Sequence, residues 1–404
     1  MNNKAFFVLF LLPVALAAQP VPRDSTLQAL LLGSQYAASV LLRPEGPSRC
    51  DYDWLSSQWR DYEPAWHTGQ VIWGILEAQK ITGDTSALPA ARRAGDWWKT
   101  LEIRDHPTLT GFLRAIHGAE VGELINFTTL ADGTPGLFEL SRVTGDRSYA
   151  DVATSAGDWA MQHLFIPETG LMYDLVDPAT GEILKDHSPH FQKEKELSIN
   201  EVARPNTEGF LYADMYRHTS EQRYLDFFLR QCDTLVACQS PNGFWMDFHP
   251  NKAETGRIHP RFNLWLAESL LVAFELTQNE RYREAALRTA RAVQRWPTKD
   301  GQIYYTNYAD GRHDASSICG SAVAFAGIVW LKFRKMGYSE FNRDIDRAAR
   351  WVVQNQFPPD HPDPNLRGAF LETWVKNEGG RARVYVRDIA TAFGLRFLAE
   401  YSLP

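Results

Sequence analysis

Val143-Thr144-Gly145-Asp146-Arg147-Ser148-Tyr149 is the stretch that decides the fold, because the chain keeps returning to it. Ile81-Thr82-Gly83-Asp84 is one further copy. His218-Thr219-Ser220-Glu221 with Tyr224 is another, and Leu276-Thr277-Gln278-Asn279 with Tyr282 a third. Lys335-Met336-Gly337-Tyr338 is a degenerate copy with Phe341 at the aromatic position. The second residues of the five copies, at 82, 144, 219, 277 and 336, are 62, 75, 58 and 59 residues apart. A period of this size marks stacked supersecondary units. The segment before each copy is apolar and aromatic: Val71 to Ala78, Leu137 to Val143, Phe210 to Tyr216, Leu264 to Leu276, Ala322 to Phe333. The segment after it is amphipathic, as in Tyr282 to Arg291. A helix apolar on every side is buried and one with a polar face is peripheral. So short a turn makes the two antiparallel neighbours.

Two more helices complete the set, an outer-type one from Leu27 to Leu42 and an inner-type one from Ile389 to Tyr401. Helix pairs can stack as an open solenoid. Six pairs, however, close an (α/α)6 barrel, and neither end of the chain carries a polar capping repeat. The expectation is a single all-α domain, an (α/α)6 barrel over residues 19–404, with small strands only in the Gly-turned hairpin pattern of Phe165 to Glu182. Met1-Asn2-Asn3-Lys4 followed by apolar Ala5 to Ala18, with small Ala15 and Ala17, predicts a signal peptide over residues 1–18 and hence export to the periplasm or beyond. No later apolar run is long enough to span a membrane. Net charge is −7 with both signs interspersed, which argues against a nucleic-acid partner. Four cysteines are too few for a disulfide scaffold. Cys232 and Cys238, six apart near the end of an outer helix, leave one bridge open. No Cys/His spacing suits zinc, and no P-loop, Rossmann or nucleophile-elbow pattern occurs, so neither metal nor cofactor is expected.

In a closed toroid the inner helices run parallel, so one rim collects their N-termini, whose free N–H groups and positive partial charge attract anions. The residues entering those helices are Trp66-His67-Thr68, Asn126 to Asp132, Arg204 to Glu208, His259 to Asn263, Arg312 to Ser317 and Tyr385 to Asp388. Asp314, Ser316 and Asp388 fit ordinary N-caps. Arg204, Arg261, Arg387 and the histidines oppose the helix dipole and need an anionic partner, internal or a ligand. Trp54, Trp59, Trp66, Trp245 and Tyr304-Tyr305 are either sugar platforms or core.

From Ser141-Arg142-Val143-Thr144-Gly145-Asp146 to Leu225 the chain resembles the unsaturated glucuronyl hydrolases and the unsaturated rhamnogalacturonyl hydrolases. The resemblance is carried by Tyr149, Thr169-Gly170-Leu171-Met172-Tyr173-Asp174, Asp177-Pro178-Ala179-Thr180-Gly181-Glu182, Val202-Ala203-Arg204, Phe210-Leu211-Tyr212 and Tyr216-Arg217-His218-Thr219. It implies cleavage of a terminal 4,5-unsaturated uronate, with an aspartic acid protonating the double bond and activating water, and no metal. The departures fall at the site. By count, the slot of the family's helix-entry Asp holds Thr129, with Asp132 one turn on. The family's His-Asp pair region reads Trp66-His67-Thr68, and its Trp-Ala-Arg-Gly stretch reads Val202-Ala203-Arg204-Pro205.

A general acid needs a carboxyl kept protonated by burial or by a second carboxylate. Asp132 and Glu208 are the candidate pair, with His67, His190 and His313 as alternative bases. Arg204 is the candidate for the substrate carboxylate. Asn206, Trp66, His190, Arg261, His313, Asp314 and Arg387 complete the expected substrate-binding set. Three functions follow: a uronyl-directed glycoside hydrolase, a uronate lyase or sugar epimerase on the same toroid, and a sugar-binding toroid without catalysis. In the lyase or epimerase reading, Asp314 with His313 and Tyr385 with Arg387 carry more of the chemistry.

Overall fold

The computed structural model describes residues 20–118, 122–186, 197–376 and 382–403. Residues 1–18 and His190 lie outside them. Among the described residues twelve helices have nine residues or more, and they alternate outer and inner. The outer helices are α1 (Arg23–Tyr36), α3 (Leu88–Lys99), α5 (Ser148–His163), α7 (Gln222–Cys238), α9 (Glu280–Val293) and α11 (Asn342–Gln354). The inner ones are α2 (Pro64–Thr82), α4 (Phe127–Thr144), α6 (Leu211–Thr219), α8 (Pro260–Thr277), α10 (Gly320–Lys335) and α12 (Asp388–Tyr401). The protein is an (α/α)6 toroid.

The repeat has a local cause. In four copies the Thr hydroxyl donates to the carbonyl four residues back and accepts from the N–H two residues on. The donated bonds are Thr82 to Ala78, Thr144 to Leu140, Thr219 to Met215 and Thr277 to Ala273. The accepted N–H groups are those of Asp84, Asp146, Glu221 and Asn279. The third residue takes the left-handed conformation that ends a helix: Gly83 at φ 72°, Gly145 at 74°, Ser220 at 63° and Gln278 at 56°. The recurring Tyr then ties the outer ring together. Tyr149, Tyr224 and Tyr282 each donate to an Asp of the preceding outer helix, Asp96, Asp158 and Asp233, at 3.0–3.1 Å.

Closure brings inner helices into backbone contact. α12 packs on α2 where Gly74 faces the main chain of Ala392. α2 and α4 cross at Gly69, Gly133 and Gly136, where a Cβ on Gly69 would collide with the Gly133 carbonyl and one on Gly136 with the Gly69 carbonyl. Gly69→Ala should therefore cost ~1–3 kcal/mol or more in urea unfolding, the usual range for overpacking a rigid contact. Unchanged stability would contradict this crossing. Near the axis four inner helices meet through aromatics. Trp66 lies edge-on to Trp265 at 5.6 Å between centroids, Trp265 to Phe325 at 5.7 Å, and Phe325 against Phe393 at 5.1 Å.

Strands are more widespread than the sequence suggested. Every described strand falls in a connection from an outer helix to the next inner one, so all of them stand on the rim of inner-helix N-termini. Seven form one sheet, in the order Gln58–Arg60, Asp51–Asp53, Ala382–Arg387, Thr373–Lys376, His313–Ile318, Tyr304–Tyr308, Arg257–Ile258. These connections are long enough to leave backbone groups unpaired unless they pair with one another. One consequence corrects the sequence reading. His313 and Asp314 do not enter a helix but sit exposed on a strand, and the helix entry is Cys319-Gly320-Ser321. A Cys232–Cys238 bridge is also absent. All four cysteines are free, and six residues along one helix separate the two by ~9 Å, beyond disulfide reach. Among the described residues no helix is long and apolar enough to cross a membrane.

Candidate active site

The entry of α4 is tightly pinned. Asn126 caps it, its Oδ1 accepting from Thr129 N at 2.7 Å. Asp174 Oδ1 accepts from both the N–H and the hydroxyl of Thr128 at 2.8 Å. Asn206 Nδ2 donates to the same Asp174 oxygen at 3.2 Å and to Thr128 Oγ1 at 3.0 Å. Asp174 and Asn206 thus hold the connection before α6 against α4. That connection ends in the turn Glu208-Gly209-Phe210, with Gly209 at φ 69° and Phe210 at φ 44°. Only glycine fits at 209, because a Cβ would strike the Ala131 carbonyl. This close approach sets Glu208 beside the turn of α4 that carries Asp132.

Asp132 is 2% exposed and Glu208 1%. Glu208 Oε1 accepts from Arg204 Nη2 at 2.5 Å. Asp132 Oδ1, Glu208 Oε2 and Arg204 Nε are buried and have no hydrogen-bond partner among the described residues. Burial drives the Asp132 carboxyl well above the usual carboxylate range. The Glu208 charge pushes the same way and Arg204 opposes it. Burial also raises Glu208, with Arg204 again pulling back. Burial thus favours the protonated form of both carboxyls, which is the direction a general acid requires.

A second line of charge runs behind it. Glu63, in the left-handed conformation at φ 47°, accepts from His117 Nε2 at 2.7 Å through Oε1 and lies 3.3 Å from His67 Nε2 through Oε2. His67 Nδ1 pairs with Asp388 Oδ1, and Asp388 Oδ2 accepts from Ser48 Oγ at 3.0 Å. Burial works to raise the Glu63 carboxyl, but the His117 and His67 imidazoles hold it down to about 2. Burial opposes charge on His67, yet Asp388 raises it well above the ordinary histidine range. Cys50 Sγ joins His67 and Asp388, the three ligand-type atoms lying within 4.8 Å of one another. They could be gathered on one ion, but both His67 nitrogens are already engaged by carboxylates.

The other expected site residues are distributed as follows. His67 is fully buried within that line. Trp66, 7% exposed, belongs to the axial aromatic cluster. Arg261 is buried and spoken for by Glu372 Oε1 at 2.9 Å, Ser321 Oγ at 3.0 Å and Tyr305 OH at 3.2 Å. Arg387 pairs with Asp51 at 2.8 Å and lies over Tyr62. His313 stacks on Tyr304, and Asp314 accepts from Ser316 N. The structure thus brings Asp132, Glu208, Arg204 and Asn206 together, gives Arg261 and Arg387 internal partners, and leaves His313 and Asp314 on the exposed strand. The sequence reading missed Glu63 and His117. Glu63 directly precedes the N1 proline of α2 and could have been found by the helix-entry rule. His117 is brought in only by strand pairing.

The opposite rim holds a cavity of about 890 Å³, lined by Trp73, Phe210, Asp214, Glu268, Lys332 and Arg396 among others. Its charges are largely consumed in pairs, such as Arg396–Glu268 at 2.8 Å and Arg217–Asp214 at 3.0 Å. Cations there also offset the C-terminal ends of the inner helices. Burial pushes Asp214 up to about 7 against the pull of Arg217, with Glu139 and Glu268 adding to the rise. A carboxyl that binds its proton more tightly when folded makes stability fall as pH rises from its unfolded value through its folded one. Thermal unfolding of Asp214→Asn should lose that part of the decline between about pH 4 and pH 7. An identical pH dependence in variant and parent would contradict it.

No protein-family model matches this chain, and no curated protein matches it. Solved structures do. A cellobiose 2-epimerase from Bacillus thermoamylovorans superposes with TM-score 0.70 at 14% identity, covering 93% of this chain and 99% of that one. A possible GH105 member from Klebsiella pneumoniae gives 0.62 at 16%, over 99% of each chain. An unsaturated glucuronyl hydrolase from Streptococcus agalactiae gives 0.64 at 12%, over 95% and 94%. Identity this low establishes the fold, one shared by hydrolases and epimerases of sugars.

Proposed function

We propose that the chain is an exported glycoside hydrolase that removes a terminal uronate, in the first place a 4,5-unsaturated one, from oligosaccharides. The observation that carries this reading is the buried Asp132–Glu208 pair, one oxygen of each carboxyl without a partner among the described residues, beside the Arg204 guanidinium at the rim of inner-helix N-termini. Asp132 supplies the proton, Glu208 keeps it there, and Arg204 together with the helix N-termini offers the anion site for the substrate carboxylate. The resemblance over Ser141 to Leu225 and the apolar leader Met1 to Ala18 support the substrate class and the export. Ultraviolet absorbance of the uronate double bond tests it with a lyase-generated unsaturated disaccharide: a hydrolase makes the absorbance fall. A lyase acting on intact polysaccharide makes it rise.

One observation favours a second reading, a sugar epimerase. His249 is held below the ordinary histidine range by burial, with the Arg204 charge adding to it. Neutral imidazoles are ready bases for removing a carbon-bound proton. Flat absorbance on both uronate substrates, with solvent deuterium appearing at a carbon of a reducing disaccharide, would select it.

A further inference from the structure

Thr129 stands where the resemblance puts a catalytic aspartate, and the structure shows what faces it. His117 Nδ1 lies 3.3 Å from Thr129 Oγ1, and His117 Nε2 lies 2.7 Å from Glu63 Oε1. The main chain repeats the link, Glu63 N donating to the His117 carbonyl at 2.9 Å. Glu63 adopts its left-handed backbone at φ 47° in this arrangement. A non-glycine residue held there stores strain, and such strain gathers at functional positions. In this line of Asp388, His67, Glu63 and His117, the first three are buried, whereas a quarter of the His117 side chain is exposed. Thr129 and Asp132, three apart on α4, share a helix face and lie within about 5–6 Å at Cβ.

We propose that His117, oriented by Glu63, is the general base of the site, acting at the position of the Thr129 hydroxyl while Asp132 acts as the acid on the same helix face. The assignment rests on the hydrolase reading above. With Glu63 accepting from Nε2–H, the neutral ring that serves as base carries its lone pair on Nδ1, the nitrogen 3.3 Å from Thr129 Oγ1. In hydration of the unsaturated uronate, Nδ1 removes one proton from water as its oxygen bonds to one carbon of the double bond. The Asp132 carboxyl delivers its proton to the other carbon. The imidazolium and the Asp132 carboxylate then exchange one proton through solvent, so the net change is addition of one water. Glu63 is a positioning residue, with His67 and Asp388 behind it, and Thr129 places the water.

The experiment uses the full mature chain and a lyase-generated unsaturated glucuronyl disaccharide. His117→Gln should lower kcat by ~10²–10⁴-fold with KM within a few-fold, and remove the acidic limb of the kcat/KM profile. Among the described residues Glu63, with His67 and Asp388 behind it, is the ionisable group against His117, and Asp132 follows Thr129 by three residues on the other side. Imidazole in solution should restore part of the turnover of His117→Gly, a rescue that a purely structural residue does not permit. Glu63→Gln should lower kcat less and move the acidic limb to lower pH. Parental kcat with an intact limb in His117→Gln overturns the proposal. If the parent itself leaves the disaccharide untouched, the hydrolase reading falls. The base is then decided without substrate, by long-range ¹H–¹⁵N spectra of the His117 ring. A neutral ring protonated on Nε2 is the form that a base at Nδ1 requires, and a ring protonated on Nδ1, alone or together with Nε2, at neutral pH overturns the assignment.

Discussion

Asp132→Asn should lose ~10²–10⁴-fold in kcat, the usual contribution of a positioned general acid, with little change in KM. Amide and carboxyl are nearly isosteric, so the α4 turn and its contact with Gly209 stay in place. The variant also removes a carboxyl whose proton burial and the Glu208 charge hold more tightly than usual, against the pull of Arg204. Folded Asp132 binds its proton above its unfolded range, so the parent loses stability as pH rises through that interval. Asp132→Asn should show a flatter stability profile on the alkaline side and melt no lower than the parent at pH 8. Full activity would move the acid elsewhere on the rim. Collapse of the fold would make Asp132 a structural partner instead.

Arg204→Ala should act twice. It removes the cation proposed for the substrate carboxylate, which costs about tenfold or more in affinity, since charge-assisted bonds contribute ~1.5–3 kcal/mol. It also strips Glu208 of the partner that Arg204 Nη2 provides. Breaking a buried pair from one side costs about 3–5 kcal/mol when the remaining charge stays ionised. Toward acid pH Glu208 escapes that cost by taking a proton, because burial raises its carboxyl and Arg204 is the group that pulls it back down. The loss in melting temperature should therefore be larger at pH 8 than at pH 5. Titration calorimetry with an unsaturated uronyl disaccharide on the Asp132→Asn background measures the binding half. Equal affinity with and without Arg204 removes it from the site.

The fold was legible because its punctuation is local. A Thr that bonds both backward and forward, a left-handed residue after it and a Tyr reaching the previous outer helix all recur within nine residues. The rim was legible where helix entries carry their chemistry in sequence, at Arg204 to Glu208 and Asn126 to Asp132. It was not legible where strand pairing decides. His117 reaches Glu63 because Ile116–Gly118 pairs with Gly122–Asn126, and His313 is carried away from α10 by the hairpin with Tyr304–Tyr308. The arginines were ambiguous for a physical reason. Glu372 and Asp51, the partners of Arg261 and Arg387, are 111 and 336 residues away in the chain.

The chemistry is expected at the rim of inner-helix N-termini and not in the cavity on the other side. A crystal structure of Asp132→Asn with an unsaturated uronyl disaccharide tests it directly. The uronate carboxylate should lie on Arg204, with the ring between residue 132 and His117. Sugar seated instead in the opposite cavity, against Trp73, Lys332 and Arg396, would contradict it.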